Sequence, residues 1–108
     1  MVAFKISYYD VLKLLEIDNV TVEELDQLFS YAKCEIEEHN LDDEGYIKVD
    51  CKTSNRPDIW GVEGLTREIK GILGQEGLPD ISAEPSEYQI IVDKSIKEIR
   101  PYIACSVI

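Results

Sequence analysis

NRPDIWGVEGLTREIKGILG, residues 55–74, is the stretch on which the reading of the fold turns. From Asp58 to Leu73 the apolar residues Val62, Leu65, Ile69, Ile72 and Leu73 recur at helical spacing, which predicts one amphipathic helix with a single core-facing stripe. Gly74 stands where a left-handed C′ residue ends such a helix. At the other end Pro57 sets a turn and disfavours helix at Arg56, and Asp58 is placed to accept hydrogen bonds from the first helical turn. Asn55 tolerates the backbone angles of such a bend. Arg56 is expected to pair with a carboxylate or with backbone carbonyls. Gly61, Gly64 and Gly71 lie within this stretch, and each costs about 1 kcal/mol relative to alanine in a helix interior. On a helical wheel Trp60, Gly64, Arg67 and Gly71 share a face distinct from the apolar stripe. Small residues there admit another backbone, and Trp and Arg are common interface anchors. That face either docks against something outside the domain or is filled by a neighbouring strand of the domain itself.

Working outward toward the N-terminus, Cys34 and Ile36 alternate with charges, as do Ile47, Val49 and Cys51. The polar, glycine-closed segment His39 to Gly45 joins them as a β-hairpin. Thr21 with Glu24 is a capping box opening a helix that carries Val22, Leu25, Leu28, Phe29 and Ala32 on one face. Ser7 with Asp10 resembles a second box and predicts a helix from Tyr8 to about Ile17. Val2, Phe4 and Ile6 alternate as a first strand. Toward the C-terminus, residues 75–87 form a proline-containing polar connector. A strand at Tyr88 to Val92, a helical turn at Lys94 to Ile99 and a strand at Tyr102 to Ile108 follow. The predicted class is α+β, a small mixed or antiparallel sheet with about three helices. Because the sequence stops on an apolar strand, a cut chain is expected here.

Charge is the strongest compositional signal. Of 108 residues, 22 are acidic and 11 basic, a net charge of −11. Residues 1–50 hold 13 acids and 4 bases, while residues 51–108 hold 9 and 7. Such a surface repels polyanions, since nucleic-acid binding rests on Lys and Arg neutralising phosphates. A solvated acidic face is favoured over an acidic binding tail. A hydrophobic content of 44% supports a true core. No run approaches the ~20 apolar residues of a membrane span, and the N-terminus lacks a signal-peptide apolar region. Cys34, Cys51 and Cys105 are odd in number and widely spaced, which reads as the usage of a reducing cytosol and not as a disulfide framework. The expected location is cytoplasmic.

Catalytic constellations are mostly missing. His39 is the single histidine, and a Cys–His nucleophile pair would require Cys34 to meet it in the hairpin. The strand positions of Cys34 and Cys51 instead suit small buried hydrophobes. Glu35, Glu37, Glu38, Asp42, Asp43 and Glu44 invite a metal reading. Counted from Asp42, however, Gly45 is fourth and Thr53 twelfth, which fails the calcium-loop pattern. No glycine-rich phosphate loop is present. Neither catalytic, cofactor-binding nor metal-ligating residues are assigned to this chain.

Residues Asn55 to Lys70 read as N-R-P-D-I-W-G-V-E-G-L-T-R-E-I-K, and this resembles the signature of phenylalanyl-tRNA synthetase β subunits of the archaeal and eukaryotic-cytosolic type. Tyr9 to Leu15 resembles the family's opening helix, Tyr31 to Ile36 its Y-A-K-C-E-[apolar] stretch, and Glu98 to Tyr102 its [DE]-I-R-P-[YF] stretch, all collinear. The resemblance implies an N-terminal B1-like domain at 1–87. It makes 88–108 a connector and the truncated start of the B3/B4-like domain that edits tyrosyl errors. It further implies partners, namely the rest of the β subunit and an α subunit in an α2β2 assembly. ATP and magnesium belong to that parent phenylalanine–tRNA ligase, not to this piece, which is expected to brace the subunit without touching nucleic acid or membrane. Asn55, Arg56, Pro57 and Asp58 then form a structural signature, with tRNA contact by Arg56 the less favoured reading. Two rivals are a stand-alone protein-binding adaptor using the Trp60/Arg67 face and a small independent hydrolase.

Overall fold

The alternation of apolar and polar residues produces three strands: β1 (Val2–Ser7), β2 (Cys34–Asn40) and β3 (Tyr46–Cys51). The computed structural model describes residues 1–75 and 80–107. β3 is the centre of an antiparallel sheet of order β1-β3-β2. The register puts Phe4, Val49 and Ile36 on one face and Lys5, Lys48 and Glu38 on the other. Three helices cover the first face: α1 (Tyr8–Leu15), α2 (Val22–Tyr31) and α3 (Val62–Ile72). Val11, Leu15, Leu25, Phe29, Ile47, Val49, Leu65 and Ile69 are fully buried between the layers. The α+β class with an antiparallel sheet and three helices therefore follows the pattern read from the sequence.

Local signals set the boundaries. The Thr21 hydroxyl accepts from Glu24 N while the Glu24 carboxylate accepts from Thr21 N at 2.9 Å, a complete capping box. Ser7 Oγ accepts from Asp10 N, so α1 begins as expected. It ends two residues earlier than the sequence reading. Glu16 turns left-handed at φ 56°, and Ile17 N donates back to Leu12 O, which closes the helix with a Schellman-type pair. The buried Tyr8 donates its hydroxyl to Val20 O and so ties the start of α1 to the α1–α2 loop.

Three expectations are corrected. The single helix from Asp58 to Leu73 is two pieces: a 3-10 turn at Pro57–Ile59 and then α3 from Val62. Gly61 between them is fully extended (φ −169°, ψ 167°), so the chain bends, and the Asp58 carboxylate caps no helix. The stripe narrows accordingly, with Leu65, Thr66 and Ile69 buried and Ile72 and Leu73 at the surface. Gly74 does terminate the helix, at φ 76°.

Second, the cysteines form a disulfide, Cys34–Cys51, and only Cys105 is unpaired. The cause is register. From Asn40/Tyr46 to Glu38/Lys48 the hairpin pairs in one register, and from Ile36/Val49 onward it is shifted by one residue. A bulge at Glu37 absorbs the extra residue. The shift sets Cys34 opposite Cys51. Just beyond them Lys52 N donates to Lys33 O at 2.9 Å, so the cysteines occupy the adjacent non-hydrogen-bonded position, with Cα atoms 4.2 Å apart. Side chains at such positions stand closest across a ladder.

Third, no strand ladder forms among residues 88–92 or 102–107. The expected helical turn is a short 3-10 turn, Lys94–Ile96, capped by Asp93. Ile108 and part of the connector (76–79) lie outside the described residues. No described strand lies beside these segments to satisfy their backbone groups, and apolar composition alone cannot supply one.

Candidate functional site

The segment between β3 and α3 brings the sequence-predicted residues into one neighbourhood. Pro57 starts the 3-10 turn, where a missing N–H costs nothing. Ile59 then falls into the core at 1% exposure. Arg56 reaches back over this turn. Its Nε donates to Asp58 Oδ1 at 2.9 Å and its Nη2 to Asp58 Oδ2 at 2.8 Å, a fork-to-fork pair. Nη2 also donates to Glu68 Oε2 at 3.1 Å, which links the turn to α3. The guanidinium is thereby held in its charged form well above its ordinary range, chiefly by Asp58 and then by Glu68. Asp58 is held below the usual carboxylate range, first by Arg56. Asn55 is exposed beside the clamp.

Trp60 is half-buried against the core, and its indole N–H donates to Thr53 O at 3.3 Å, closing the loop from inside. Gly64 is where this loop and α3 meet. A Cβ there would stand 1.6 Å from Asp58 O, so only glycine lets the backbones approach this closely. The groove at Gly64 is filled by the chain's own 3-10 turn. Gly71 has nothing within 4 Å of a Cβ position, and Arg67 is exposed. The four residues Trp60, Gly64, Arg67 and Gly71 thus divide, the first two spent inside the domain and the last two open to solvent.

The uncovered sheet face carries a lattice of ion pairs that the acidic run only hinted at. Lys48 pairs with Glu37 at 3.0 Å, and Lys52 with Asp50 at 2.6 Å and Glu35 at 3.1 Å. These partners raise both lysines above their ordinary range, Lys48 through Glu37 and Lys52 through Asp50 first. The Tyr46 hydroxyl donates to Glu38 at 2.6 Å and lowers its carboxyl, while Lys5 sits 3.8 Å from the centre of the Tyr46 ring. Asp50 is 2% exposed; its Oδ2 is bonded to Lys52, whereas Oδ1 finds no partner among the described residues. On the outer edge of β2 the carboxylate of Asp26, from within α2, accepts from Ile36 N at 2.6 Å, and the bulge at Glu37 interrupts the same strand. Such devices blunt an edge against strand addition.

His39 lies at the far end of β2 from Cys34, whose sulfur is committed to Cys51, so the structure brings no Cys–His pair together. Among the described residues no group of three or more His, Cys, Asp or Glu side chains could hold a metal ion. No described helix is long and apolar enough to cross a membrane. What the arrangement does offer is mechanical. A clamped loop covers a buried disulfide at one end of the sheet, and a salt-bridged face lies open on the other side. Sequence reasoning missed Glu68, Asp26 and the Cys34–Cys51 pair. Equal alternation phase at Cys34 and Cys51 was the available signal, but the bulge that aligns them leaves no mark in the pattern.

No family model matches the chain. It is 42% identical over 104 residues to the phenylalanine–tRNA ligase β subunit of Thermococcus gammatolerans, an alignment covering 94% of this chain and 18% of that protein. The β subunit of Methanosphaera stadtmanae is 41% identical over 71 residues, covering 62% of this chain and 13% of that protein. Among solved structures, an N-terminal fragment of the phenylalanyl-tRNA synthetase β subunit from Pyrococcus horikoshii superposes with a TM-score of 0.71 at 39% identity. That match covers 93% of this chain and 29% of the fragment. The chain thus spans less than a fifth of the length of the curated relative that heads this comparison.

Proposed function

Because the chain is homologous over nearly all its length to phenylalanine–tRNA ligase β subunits, we propose that it works as the non-catalytic N-terminal module of such a subunit, bracing a parent enzyme that attaches phenylalanine to its tRNA and edits tyrosyl errors. The observation that carries this reading is the collinear match at 42% identity, which runs through the clamp and on into the exposed apolar segment. In this reading residues 1–87 are the module and residues 88–108 lead into the editing domain. The partners are the rest of the β subunit and an α subunit in an α2β2 assembly, located in the cytoplasm. ATP and magnesium serve the parent enzyme alone. An absence of direct nucleic-acid contact is supported by charge: Lys48, Lys52 and Arg56 are each held by carboxylates, and phosphate would have to displace them.

An antibody against the chain, used on lysate of the source cells, tests the proposal. A polypeptide several times larger than 12.3 kDa that co-migrates with a second subunit is the expected result. A free protein of 12.3 kDa would overturn it in favour of a stand-alone adaptor. Phenylalanine-dependent ATP–pyrophosphate exchange by the isolated chain would overturn the non-catalytic part.

A further inference from the structure

We propose that Cys34–Cys51 is a thiol–disulfide exchange site whose access is gated by the Arg56 clamp, a role that does not depend on which assembly the chain serves. Both cysteines are fully buried in the core. Cys34 Sγ is backed by the α2–β2 connection, 3.6 Å from Ala32 O, where the chain turns tightly through the left-handed Lys33. Cys51 Sγ lies beneath the 3-10 turn, 3.9 Å from Ile59 O. The covers differ in strength. The Cys34 side is held by α2 and by the Lys52–Lys33 backbone bond. On the Cys51 side the three-residue turn is held by the buried Ile59, by its backbone packing on Gly64, by the exposed Arg56–Asp58–Glu68 ion pairs and by the Trp60–Thr53 bond. Exposed ion pairs are the weaker restraint. With three residues against the ten of α2, and with ion pairs exposed to water as part of its hold, the turn over Cys51 is the part that lifts first.

The reactant class is a dithiol. With the turn raised, a reductant thiolate attacks Cys51 Sγ and forms a mixed disulfide, and Cys34 departs as a thiolate that takes a proton from water. The reductant's second thiolate then attacks its own bound sulfur. It closes a reductant disulfide and releases Cys51, so two electrons pass from reductant to protein. Re-oxidation is the reverse exchange with a small disulfide, which takes the same two electrons.

The test uses the full chain as Cys105→Ser, so that only this pair is counted. Alkylation in denaturant without reductant should label no thiols; two labelled thiols would overturn the proposal. Dithiothreitol is then added to the folded protein and the growth of labelled thiols is followed by mass. Arg56→Ala should accelerate reduction about two- to fivefold. Glu68→Gln, which leaves the Asp58 pair intact, should give a smaller acceleration and carries the test if Arg56→Ala does not fold. Thr21→Ala removes the α2 capping box, whose hydrogen bonds run only to Glu24 and not to the turn, and serves as the control for lowered stability elsewhere in the domain. Equal acceleration by Thr21→Ala, or none by the clamp variants, would show that reduction proceeds without turn opening and would sink the gate.

Discussion

Residues 1–75 and residues 80–107 are both rich in large apolar side chains, yet only the first set is inside anything. The first segment buries Phe29, Leu15, Leu25, Ile47, Ile59, Leu65 and Ile69 to within 1% of full burial. In the second, Tyr88 is 78% exposed, Ile91 94% and Tyr102 89%. The difference is one of arrangement. In the first segment helical and strand periods meet face to face, so the larger part of each apolar stripe is buried against another. In the second, neither of the two expected strands has a described neighbour to complete its hydrogen bonds. Apolar content favours burial only where a partner surface exists, and the described residues of the second segment meet none.

The sharpest way to break this comparison is to truncate one side chain in each segment. Phe29→Ala removes a fully buried ring and should cost about 3–5 kcal/mol of unfolding free energy in a urea titration. Ile91→Ala should change the unfolding free energy by less than ~0.5 kcal/mol, because the residue is 94% exposed. Comparable losses at both sites would mean that the isolated chain buries residues 88–92 after all.

A smaller effect separates two glycines of α3. Gly64→Ala drives a methyl group into Asp58 O, so the 3-10 turn must shift, and overpacking of this kind costs roughly 1–3 kcal/mol. Gly71→Ala meets nothing and should gain about 0.5–1 kcal/mol from helix propensity alone. Thermal melts of the two variants should therefore move in opposite directions. A stabilising Gly64→Ala would show that the turn does not pack on α3, and it would return Gly64 to the set of residues open for docking.

These glycines also show what the sequence could and could not disclose. Helix spacing made Gly64 and Gly71 look equivalent, because a wheel records angle and not what lies across from it. Periodicity similarly located the three sheet strands, α1 and α2, and the Thr21/Glu24 box named a boundary outright. The apolar stripe of residues 62–73 was legible as a helix, but the bend at Gly61 was not. An extended backbone at one residue is a tertiary choice, made here so that Ile59 can enter the core. Of the site, Arg56 was legible as a carboxylate partner, whereas Glu68, twelve residues on, needed the fold to bring it near. The disulfide was hidden more deeply still, since it depends on a one-residue bulge that alternation smears out.

The smallest effect concerns two aspartates lowered for different reasons, one in each segment. Asp58 is lowered first by the Arg56 guanidinium, also only two residues away but fixed in place by Glu68, twelve residues on, which the fold brings near. Asp93 is lowered by the Ser95 hydroxyl and backbone N–H, two residues away in its own 3-10 turn. A depressed folded value means that the contribution to stability is present above the unfolded pKa and is lost as pH falls through the folded one. For Asp58 that loss falls below about pH 4, the range of a free aspartate. Asp58→Asn should therefore flatten the fall of the urea midpoint between about pH 5 and pH 2 slightly, by removing one of the carboxylates that must be protonated. Asp93→Asn should leave the same curve unchanged, because a cap that forms within three residues need not melt when the core does. If Asp93→Asn also flattened the acid limb, residues 80–107 would be unfolding together with residues 1–75, and the two segments would be one cooperative unit.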